Sequence, residues 1–308
     1  MTAQQVCYQT RNCPCCGSAD NPNWSLSSNP PAERANFDYL KSCWTGFFYD
    51  KPFFTYYRCP SCKLVYCREY FSETQLQELY GSMEDNTAGV DSGLMTRAQA
   101  GYYELVRGAG KNGGDYLELG PDIGLFTRNV IKHENFGNHW LIEPNHKVHE
   151  TLARACGNKK HNIRESVDAI EEIVDNSLSL AVMIHVLDHL PQPLALLQKV
   201  FTKMQSQGIL AVVVHDQRSL LAKLLRKRWP AYCLQHPQVF SSSTIIRMLQ
   251  SAGLTKVKVV KTYNYFPFNY LVKHLLYACR IKCGDLAFLP KTFVKIKLGN
   301  IAAIFRKD

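Results

Sequence analysis

The chain has 308 residues, of which 46% are hydrophobic, so it can form a full core and one or two domains. No apolar run reaches the roughly 18 residues of a membrane span, and the N-terminus lacks the basic-then-apolar layout of a secretory signal, which argues against a membrane-spanning or secreted protein. The 12 cysteines therefore favour a metal site in a reducing compartment, and we expect a cytoplasmic protein.

The net charge of +10 is concentrated in the last third of the chain. Residues 216–308 hold 17 of the 36 Lys and Arg but 3 of the 26 Asp and Glu. Such a surface is either merely solvated or meets an anion, for example a diphosphate, a nucleic acid or a membrane surface.

Residues 1–70 are predicted to form a zinc-ribbon-like module. Two Cys-x-x-Cys pairs separated by a loop can place four thiolates around one zinc ion, and we assign these as ligands: Cys13, Cys16, Cys59 and Cys62. Cys15 lies inside the first pair as a non-ligand. A four-thiolate site is closed, so the zinc would be structural. The alternative is four reduced cysteines without metal.

The aromatic stretches between the pairs, near 44–49 and 52–57, are predicted to be strands of the module.

Residues 71–110 are predicted to be a helical linker or lid. Ser72 and Gln75 resemble a capping box, and the stretch 81–93, rich in Gly, Asn, Asp and Ser, is typical of a loop. A helix is predicted over 96–106.

Residues 111–308 alternate between strand and helix patterns. The predicted strands are 116–119, 140–142, one near Ile163, 180–186, 209–214, 257–260 and 300–305, and the predicted helices are 124–132, 146–156, 194–204 and 242–252. A β-α-β-α series indicates an α/β fold with a doubly wound, mostly parallel, Rossmann-like sheet. A basic, aromatic insertion is expected at about 261–299.

Four polar or glycine-containing segments follow successive predicted strands. Gly120 and Gly124 follow the first, Glu143 ends the second, and residues 166–168 and 185–189 follow the third and fourth. Ligands of doubly wound sheets bind at these carboxyl ends, and an acid after the second strand can accept hydrogen bonds from ribose hydroxyls.

The chain resembles the class I S-adenosylmethionine-dependent methyltransferases. The matching segments are Leu-Glu-Leu-Gly-Pro-Asp-Ile-Gly, Ile-Glu-Pro-Asn, Ile-His-Val-Leu-Asp-His-Leu-Pro-Gln-Pro, Gln-Gly-Ile-Leu-Ala-Val-Val-Val, and His-Pro-Gln-Val-Phe-Ser-Ser-Ser-Thr with Leu-Gln-Ser-Ala-Gly-Leu. The paired cysteines in front are similar to the zinc-binding segment of bacterial enzymes that tailor sugars, polysaccharide precursors and natural products. The resemblance implies a Rossmann-like fold and S-adenosylmethionine as the cofactor.

The resemblance also implies roles for individual residues. Glu118 and Gly120 would contact the methionine end of the cofactor, and Glu143 the ribose. Val167 or Asp168 would contact the adenine, and His185 would lie near the sulfonium. The full predicted cofactor set is Glu118, Gly120, Asp122, Gly124, Glu143, Val167, Asp168 and His185. Two positions depart from the family pattern: Asp122 replaces the middle glycine of the loop, and Ser179 replaces an acid at the start of the fourth strand.

Methyl transfer to a hydroxyl or carbon acid needs a base, and His185 and His189 are the candidate catalytic residues, with Asp188 as an orienter. Packing roles for these histidines are the alternative, as is helix capping by Asp188 and His189. The acceptor atom, whether O, N or C, and the oligomeric state are left open by the sequence.

The stretch 219–229 is predicted to be an amphipathic helix with four leucines on one face. Such a helix usually packs on its own domain. In the family it lies beside the substrate entrance, so Arg226, Lys227 and Arg228 are predicted to bind an anionic small-molecule or glycan substrate. A diphosphate-linked sugar, on a nucleotide or a lipid, fits this charge. For the aromatic segment 263–289, a substrate lid and peripheral contact with a membrane surface are alternatives.

Two other classes of function remain. One is a nucleic-acid methyltransferase, which the ribbon region disfavours, since residues 1–110 hold 9 Lys and Arg against 11 Asp and Glu. The other is a cofactor-binding protein without turnover, which the departures at Asp122 and Ser179 motivate.

Overall fold

A computed structural model of the chain describes residues 8–45, 51–81, 92–109, 113–278, 290 and 292–308. The strands, in chain order, are β1 (Gln9–Thr10), β2 (Ser25–Leu26), β3 (Tyr56–Arg58), β4 (Val65–Cys67), β5 (Glu69–Tyr70), β6 (Asp115–Leu119), β7 (His139–Ile142), β8 (His161–Arg164), β9 (Leu178–Ile184), β10 (Met204–His215), β11 (Gln238–Val239), β12 (Thr255–Lys261), β13 (Asn264–Pro267), β14 (Phe293–Ile296) and β15 (Asn300–Arg306).

The α-helices are α1 (Phe37–Ser42), α2 (Glu73–Gly81), α3 (Ser92–Tyr103), α4 (Leu125–His133), α5 (His149–Cys156), α6 (Pro193–Lys203), α7 (Leu220–Leu225), α8 (Ser242–Ser251) and α9 (Phe268–Ala278). Short 3-10 helices cover Ala32–Arg34, His146–Val148, Val167–Glu172 and Arg226–Arg228. Across the described ranges, every helix is too short or too polar to pass through a bilayer.

The central sheet has the strand order β12-β15-β10-β9-β6-β7-β8. Neighbours from β10 to β8 pair in parallel, and β15 runs antiparallel between β10 and β12. Strands β9 and β10 are long apolar runs that are largely buried, as expected for parallel strands covered by helices on both faces. The predicted α/β fold with a mostly parallel, Rossmann-like sheet is confirmed.

Two hydrophobic clusters cover the two faces of this sheet. Successive residues of a strand alternate between them: Leu180 belongs to the cluster that contains α4 and α5 residues, and Ala181 to the cluster that contains α6 and α8 residues. The helices therefore form outer layers, and the carboxyl ends of the parallel strands open at one edge of the sheet.

A third cluster holds the N-terminal region against the rest of the chain. Its sheet has the order β11-β4-β3-β2, so one of its strands comes from far along the sequence, with Gln238 opposite Tyr66. The partly buried Arg11 also joins the two parts: its guanidinium donates to the carbonyls of Cys67, Pro191 and Pro237. Burial lowers the pKa of Arg11 from its usual value.

The predicted elements of the N-terminal region are partly correct. The capping box is confirmed, because the Ser72 backbone N–H donates to the Gln75 side chain (2.8 Å) and the Gln75 N–H to the Ser72 hydroxyl (3.3 Å). The strand predicted over 52–57 is wrong for most of its length, since β3 begins at Tyr56. The other aromatic stretch falls largely on 46–50, outside the described residues, as does most of the loop at 81–93.

The amphipathic helix predicted over 219–229 is shorter than expected. Helix α7 ends at Leu225, where Arg226 adopts a positive φ of 50° and a 3-10 turn follows. The single leucine face is also wrong: Leu220 and Leu224 are 78% and 64% exposed, whereas Leu221 packs against the third cluster.

Candidate functional site

The turn after β6 combines three residues in the left-handed backbone region. Their φ angles are 65° at Gly120, 51° at Asp122 and 76° at Gly124. Asp reaches this region more readily than most residues because its short polar side chain can bond locally. The replacement of a glycine by Asp122 therefore keeps the backbone of the loop. The Asp122 side chain is partly buried.

The two loop glycines are required by close neighbours in the protein. A Cβ on Gly120 would lie 2.6 Å from Val186 Cγ2, and one on Gly124 would lie 2.8 Å from Ala155 Cβ of α5. Gly120 thus allows the loop to approach the segment after β9. Gly124 allows α4 to pack against α5, which is a packing reason for a glycine predicted to contact the cofactor.

Glu143 is fixed against this loop. Its Oε2 accepts from the Asp122 N–H and its Oε1 from the Asn145 N–H, both at 2.9 Å. Burial raises the pKa of Glu143, while the two backbone N–H groups oppose that shift. The carboxylate is therefore oriented next to the glycine turn, where an acceptor for ribose hydroxyls was predicted.

Glu118 is buried under the same loop. Its Oε2 accepts from the Tyr116 hydroxyl and the Thr127 hydroxyl, each at 2.6 Å. Burial raises its pKa to about 7, partly opposed by the two hydroxyl donors. The other departure, Ser179, lies at the opposite end of the sheet, where its buried hydroxyl donates to the Asp115 carbonyl.

Val167 and Asp168, the predicted adenine contacts, lie on the surface after β8. Val167 is 39% exposed, and the Asp168 backbone N–H is capped by the Ser166 hydroxyl at 3.1 Å. The Asp168 carboxylate lies 3.9 Å from Lys199 of α6.

The segment after β9 contributes three side chains to a larger group, which we call the histidine cluster: His185, Asp188, His189, His215 and His236. The ring centroids of His185 and His215 are 4.6 Å apart, those of His215 and His236 4.8 Å, and those of His189 and His236 4.6 Å. Asp188 is fully buried among them. His185 has a positive φ of 54°, a strained conformation for a non-glycine residue.

The hydrogen bonds of the cluster define the proton positions. His215 Nδ1 lies 2.5 Å from Asp188 Oδ2 and must donate, because a carboxylate only accepts. His236 Nδ1 lies 2.7 Å from the Ala231 carbonyl and must also donate. His236 Nε2 then lies 3.1 Å from His189 Nε2, so the two nitrogens share one proton.

His185 and His189, the predicted catalytic residues, are both neutral at pH 7, because burial lowers the pKa of each to about 3. Asn300 Nδ2 donates to His185 Nε2 (3.2 Å), and Tyr80 OH lies 3.2 Å from His189 Nδ1. Asp188 does not cap the next helix, since it bonds His215 instead.

Sequence reasoning missed His215, His236 and Asn300. His215 is the last residue of β10, and Asn300, the first residue of β15, is its partner in the antiparallel ladder. Because His215 follows a predicted parallel strand, and ligands bind at the carboxyl ends of such strands, the sequence could have indicated it as a site residue. His236 begins the family-matching segment His-Pro-Gln-Val-Phe-Ser-Ser-Ser-Thr, but that match did not predict its contact with His215.

The basic segment Arg226–Arg228 directly precedes Trp229, which lies beside the histidine cluster. These residues line an open depression on the surface together with Leu224 and Leu225. They are followed by the buried Trp229, whose ring is 6.3 Å from that of His215.

The four predicted zinc ligands come together in the N-terminal region. We call Cys13, Cys16, Cys59 and Cys62 the cysteine cluster; their sulfur atoms all lie within 4.8 Å of one another. The Cys13–Cys62 and Cys16–Cys59 sulfur pairs are 3.4 and 3.6 Å apart. Four sulfurs about 2.3 Å from a tetrahedral zinc would be about 3.8 Å apart, so the set fits this metal. Gly17 and Lys63, each with positive φ, end the two knuckles.

Comparison with known proteins identifies the family. A family model described as a methyltransferase domain matches residues 95–259, more than half of the chain. No curated protein gave a significant sequence match.

Among solved structures, a complex of the Haloferax volcanii Trm112 methyltransferase activator with a protein described as a methyltransferase is 11% identical with TM-score 0.50, covering 73% of this chain and 99% of that one. An S-adenosylmethionine-dependent methyltransferase from Listeria monocytogenes is 12% identical (TM-score 0.49, 68% and 99% covered). The N-methyltransferase NodS from Bradyrhizobium japonicum, solved with S-adenosyl-L-homocysteine, is 18% identical (TM-score 0.46, 76% and 97% covered). At 11% identity, the first of these structures supports the fold alone. The chain belongs to the methyltransferase-domain family and is an S-adenosylmethionine-dependent methyltransferase.

Proposed function

We propose that the protein methylates an anionic small-molecule or glycan acceptor, such as a nucleotide- or lipid-linked sugar. The observation that supports this most is the position of Arg226–Arg228, which leads directly into Trp229 beside His215. Since Trp229 lies beside His215 at the end of β10, we infer that this positive charge is near the edge of the sheet at which the glycine loop lies. A diphosphate is an anion that such a segment can bind by charge-assisted hydrogen bonds.

S-Adenosylmethionine is proposed to bind along the loop after β6. Glu143 would offer two oriented carboxylate oxygens to the ribose, and we propose that Glu118 and Gly120 contact the methionine end. The other proposed contacts are Asp122, Gly124, Val167, Asp168 and His185. When bound, the cofactor supplies a methyl group already activated by the sulfonium, so the protein mainly orients the acceptor and excludes water.

Structural zinc is proposed for the cysteine cluster, within a module of residues 1–70 that precedes the linker 71–110 and the methyltransferase domain 111–308. The sulfur distances and the burial of Cys13, Cys59 and Cys62 support this metal. We further propose a cytoplasmic location, because the thiols must stay reduced to bind zinc.

The first experiment is mass spectrometry of the products formed from S-adenosylmethionine and a panel of nucleotide-linked sugars, lipid-linked sugars and neutral glycans. We expect a mass gain of one methyl group, about 14 Da, on a diphosphate-containing acceptor. Tight cofactor binding with no transfer to any acceptor would contradict the proposal and favour a binding protein without turnover. Methylation of RNA or DNA in the same assay would favour the nucleic-acid alternative.

Charge reversal tests the basic segment. Arg226→Glu with Lys227→Glu should raise the KM for the anionic acceptor about tenfold, equivalent to about 1.4 kcal/mol, and leave the cofactor Kd unchanged. The matched control is Lys256→Glu with Lys258→Glu, the same charge change on exposed residues of β12. Equal KM values in the two double variants would show that the segment does not bind the acceptor.

A further inference from the structure

Among the described residues, His215 is the histidine of the cluster whose acceptor nitrogen has no partner; His185 Nδ1 also lacks one, but it carries the ring proton and is buried. The Nδ1–H of His215 donates to Asp188, and within the described residues the Nε2 of His215 has no hydrogen-bond partner. The side chain is 26% exposed, so this nitrogen is within reach of a ligand. His189 and His236 have both ring nitrogens engaged, and the acceptor nitrogen of His185 is taken by Asn300.

Asp188 is positioned to hold the Nδ1–H of His215. It is 0% exposed, and among the described residues its ion-pair partner is His215. The backbone N–H of His215 also lies 3.3 Å from the same carboxylate oxygen, so the whole residue is oriented toward Asp188. The interaction with His215 lowers the pKa of Asp188 against the effect of burial, and the carboxylate is ionised.

A metal ion is a second explanation for His185, Asp188 and His215, because their ligand atoms lie within 4.8 Å of one another. The distances between the ligand atoms distinguish a shared metal ion from a hydrogen bond. Nitrogen and oxygen ligands about 2.1 Å from one octahedral ion are about 3 Å apart, and tetrahedral ligands are farther apart. The 2.5 Å between His215 and Asp188 is too short for two ligands of one ion, whereas it suits a charge-assisted hydrogen bond.

We propose that His215 is the general base that removes the proton from the methyl acceptor, and that Asp188 is the positioning residue that holds its Nδ1–H. This inference rests on the proposed methyl transfer to an acceptor that must lose a proton. It assigns the base to a residue outside the segment 185–189.

His215 Nε2 takes the proton of the acceptor O–H, N–H or C–H bond, and the electron pair of that bond forms the new bond to the methyl carbon. The bond between that carbon and the cofactor sulfur breaks with its electron pair staying on sulfur. Asp188 stabilises the imidazolium that results, as a carboxylate does in a His–Asp pair. His215 then releases the proton to solvent through its exposed edge.

The pH dependence follows from the groups that face His215: Asp188, His185, His236 and Lys51. Burial lowers the pKa of His215 from 6.5, and Asp188 opposes that shift. The base is therefore neutral and ready at pH 7, and activity is lost only as the pH falls below the usual histidine value. Removing the charge of Asp188 should move this acidic limb to still lower pH.

Kinetics of two variants test the assignment, using the acceptor identified in the product screen. His215→Gln should lower kcat by about 10²–10⁴-fold and leave the Kd for S-adenosylmethionine unchanged. Asp188→Asn should lower kcat and shift the acidic limb of kcat/KM downward, which a merely structural role would not do. His133→Gln, an exposed histidine on α4, is the control and should retain wild-type kcat. A kcat for His215→Gln within about threefold of wild type would overturn the proposal.

A second test needs neither cofactor nor acceptor. In the full chain labelled with 15N-histidine at pH 7.5, the His215 signals, assigned from their loss in His215→Gln, should show a protonated Nδ1 and an unprotonated Nε2. In Asp188→Asn the Nε2–H tautomer should become populated. A doubly protonated His215, or the Nε2–H tautomer in the wild-type chain, would overturn the proposal even if the enzyme methylates its acceptor. The expected tautomer in a chain that methylates nothing would instead contradict the proposed function.

Discussion

The cysteine cluster and the histidine cluster bring side chains of metal-binding chemistry together in two different ways. The sulfurs of the cysteine cluster are 3.4–3.6 Å apart in two pairs, close to the spacing that a shared ion imposes. In the histidine cluster the shortest contact is the 2.5 Å hydrogen bond to Asp188, and the other contacts form directed donor–acceptor pairs. Donor type alone does not define a metal site. For His215 and Asp188, the distance between the two donors argues against a shared ion.

The two regions also differ in what stabilises them. Thiolates that crowd together repel one another unless a cation is present, so we expect the cysteine cluster to depend on the zinc that we propose for it. The histidine cluster places one buried carboxylate against one imidazole, and several of its other ring nitrogens are bonded to neighbours such as Ala231 and Asn300. Among the described residues, His185 Nδ1 and Asp188 Oδ1 are buried without a hydrogen-bond partner. We therefore expect metal removal to destabilise the region around the cysteine cluster strongly. Substitutions that change the charge of buried side chains should affect the edge of the sheet that contains the histidine cluster.

The largest expected effect is the loss of zinc. Cys59→Ser should reduce bound zinc from one per chain to near zero and destabilise the N-terminal region by several kcal/mol, since structural zinc contributes about 10–16 kcal/mol of apparent binding free energy. Metal analysis and thermal unfolding measure both effects. Cys15→Ser, a buried cysteine in the same knuckle, should keep its zinc. If zinc is lost from Cys15→Ser and kept in Cys59→Ser, the ligand assignment is wrong.

A smaller, pH-dependent effect on folding stability is expected at Glu118, which is buried beneath the loop after β6. Its pKa rises from 4.5 to about 7 on folding, so the folded state binds the proton more tightly than the unfolded state. Its contribution is therefore most favourable below pH 4.5 and is lost as the pH rises through 7, at a cost of up to about 3 kcal/mol.

Urea unfolding of Glu118→Gln without cofactor measures this cost. Relative to wild type, the variant should gain about 3 kcal/mol of unfolding free energy between pH 5 and pH 8, because glutamine stays neutral. Glu150→Gln, at an exposed position of α5, should show no such gain. A difference that does not change with pH would mean that Glu118 is ionised at little cost, and that hydrogen bonds alone stabilise this edge.

The smallest expected effect is on cofactor affinity. Glu143→Gln keeps the shape of the side chain but removes its charge, so its bonds to the ribose would weaken. The Kd for S-adenosylmethionine, measured by calorimetry, should rise about tenfold, or about 1.4 kcal/mol. Glu150→Gln again serves as the control. An unchanged Kd would show that the oriented carboxylate does not contact the cofactor.

The two clusters were not equally predictable from the sequence. Each cysteine pair is local, with its two cysteines three residues apart on one turn, so spacing alone predicted the four cysteines that the structure brings together. The loop after β6 was predictable for the same reason. The histidine cluster depends on the order of strands in the sheet, which brings the end of β10 beside the end of β9, and on a long connection that returns His236 to the same place. Short sequence motifs do not predict contacts between segments that are this far apart in the chain.

The pairing of β11 with β4 also has a consequence for the order of synthesis. Gln238 and Val239 complete a sheet whose other strands end by residue 67, so about 170 residues separate the partners. During synthesis, β4 can pair with β11 only after most of the methyltransferase domain has been made. His236 precedes β11 by two residues, so the same closing event brings this histidine to the others.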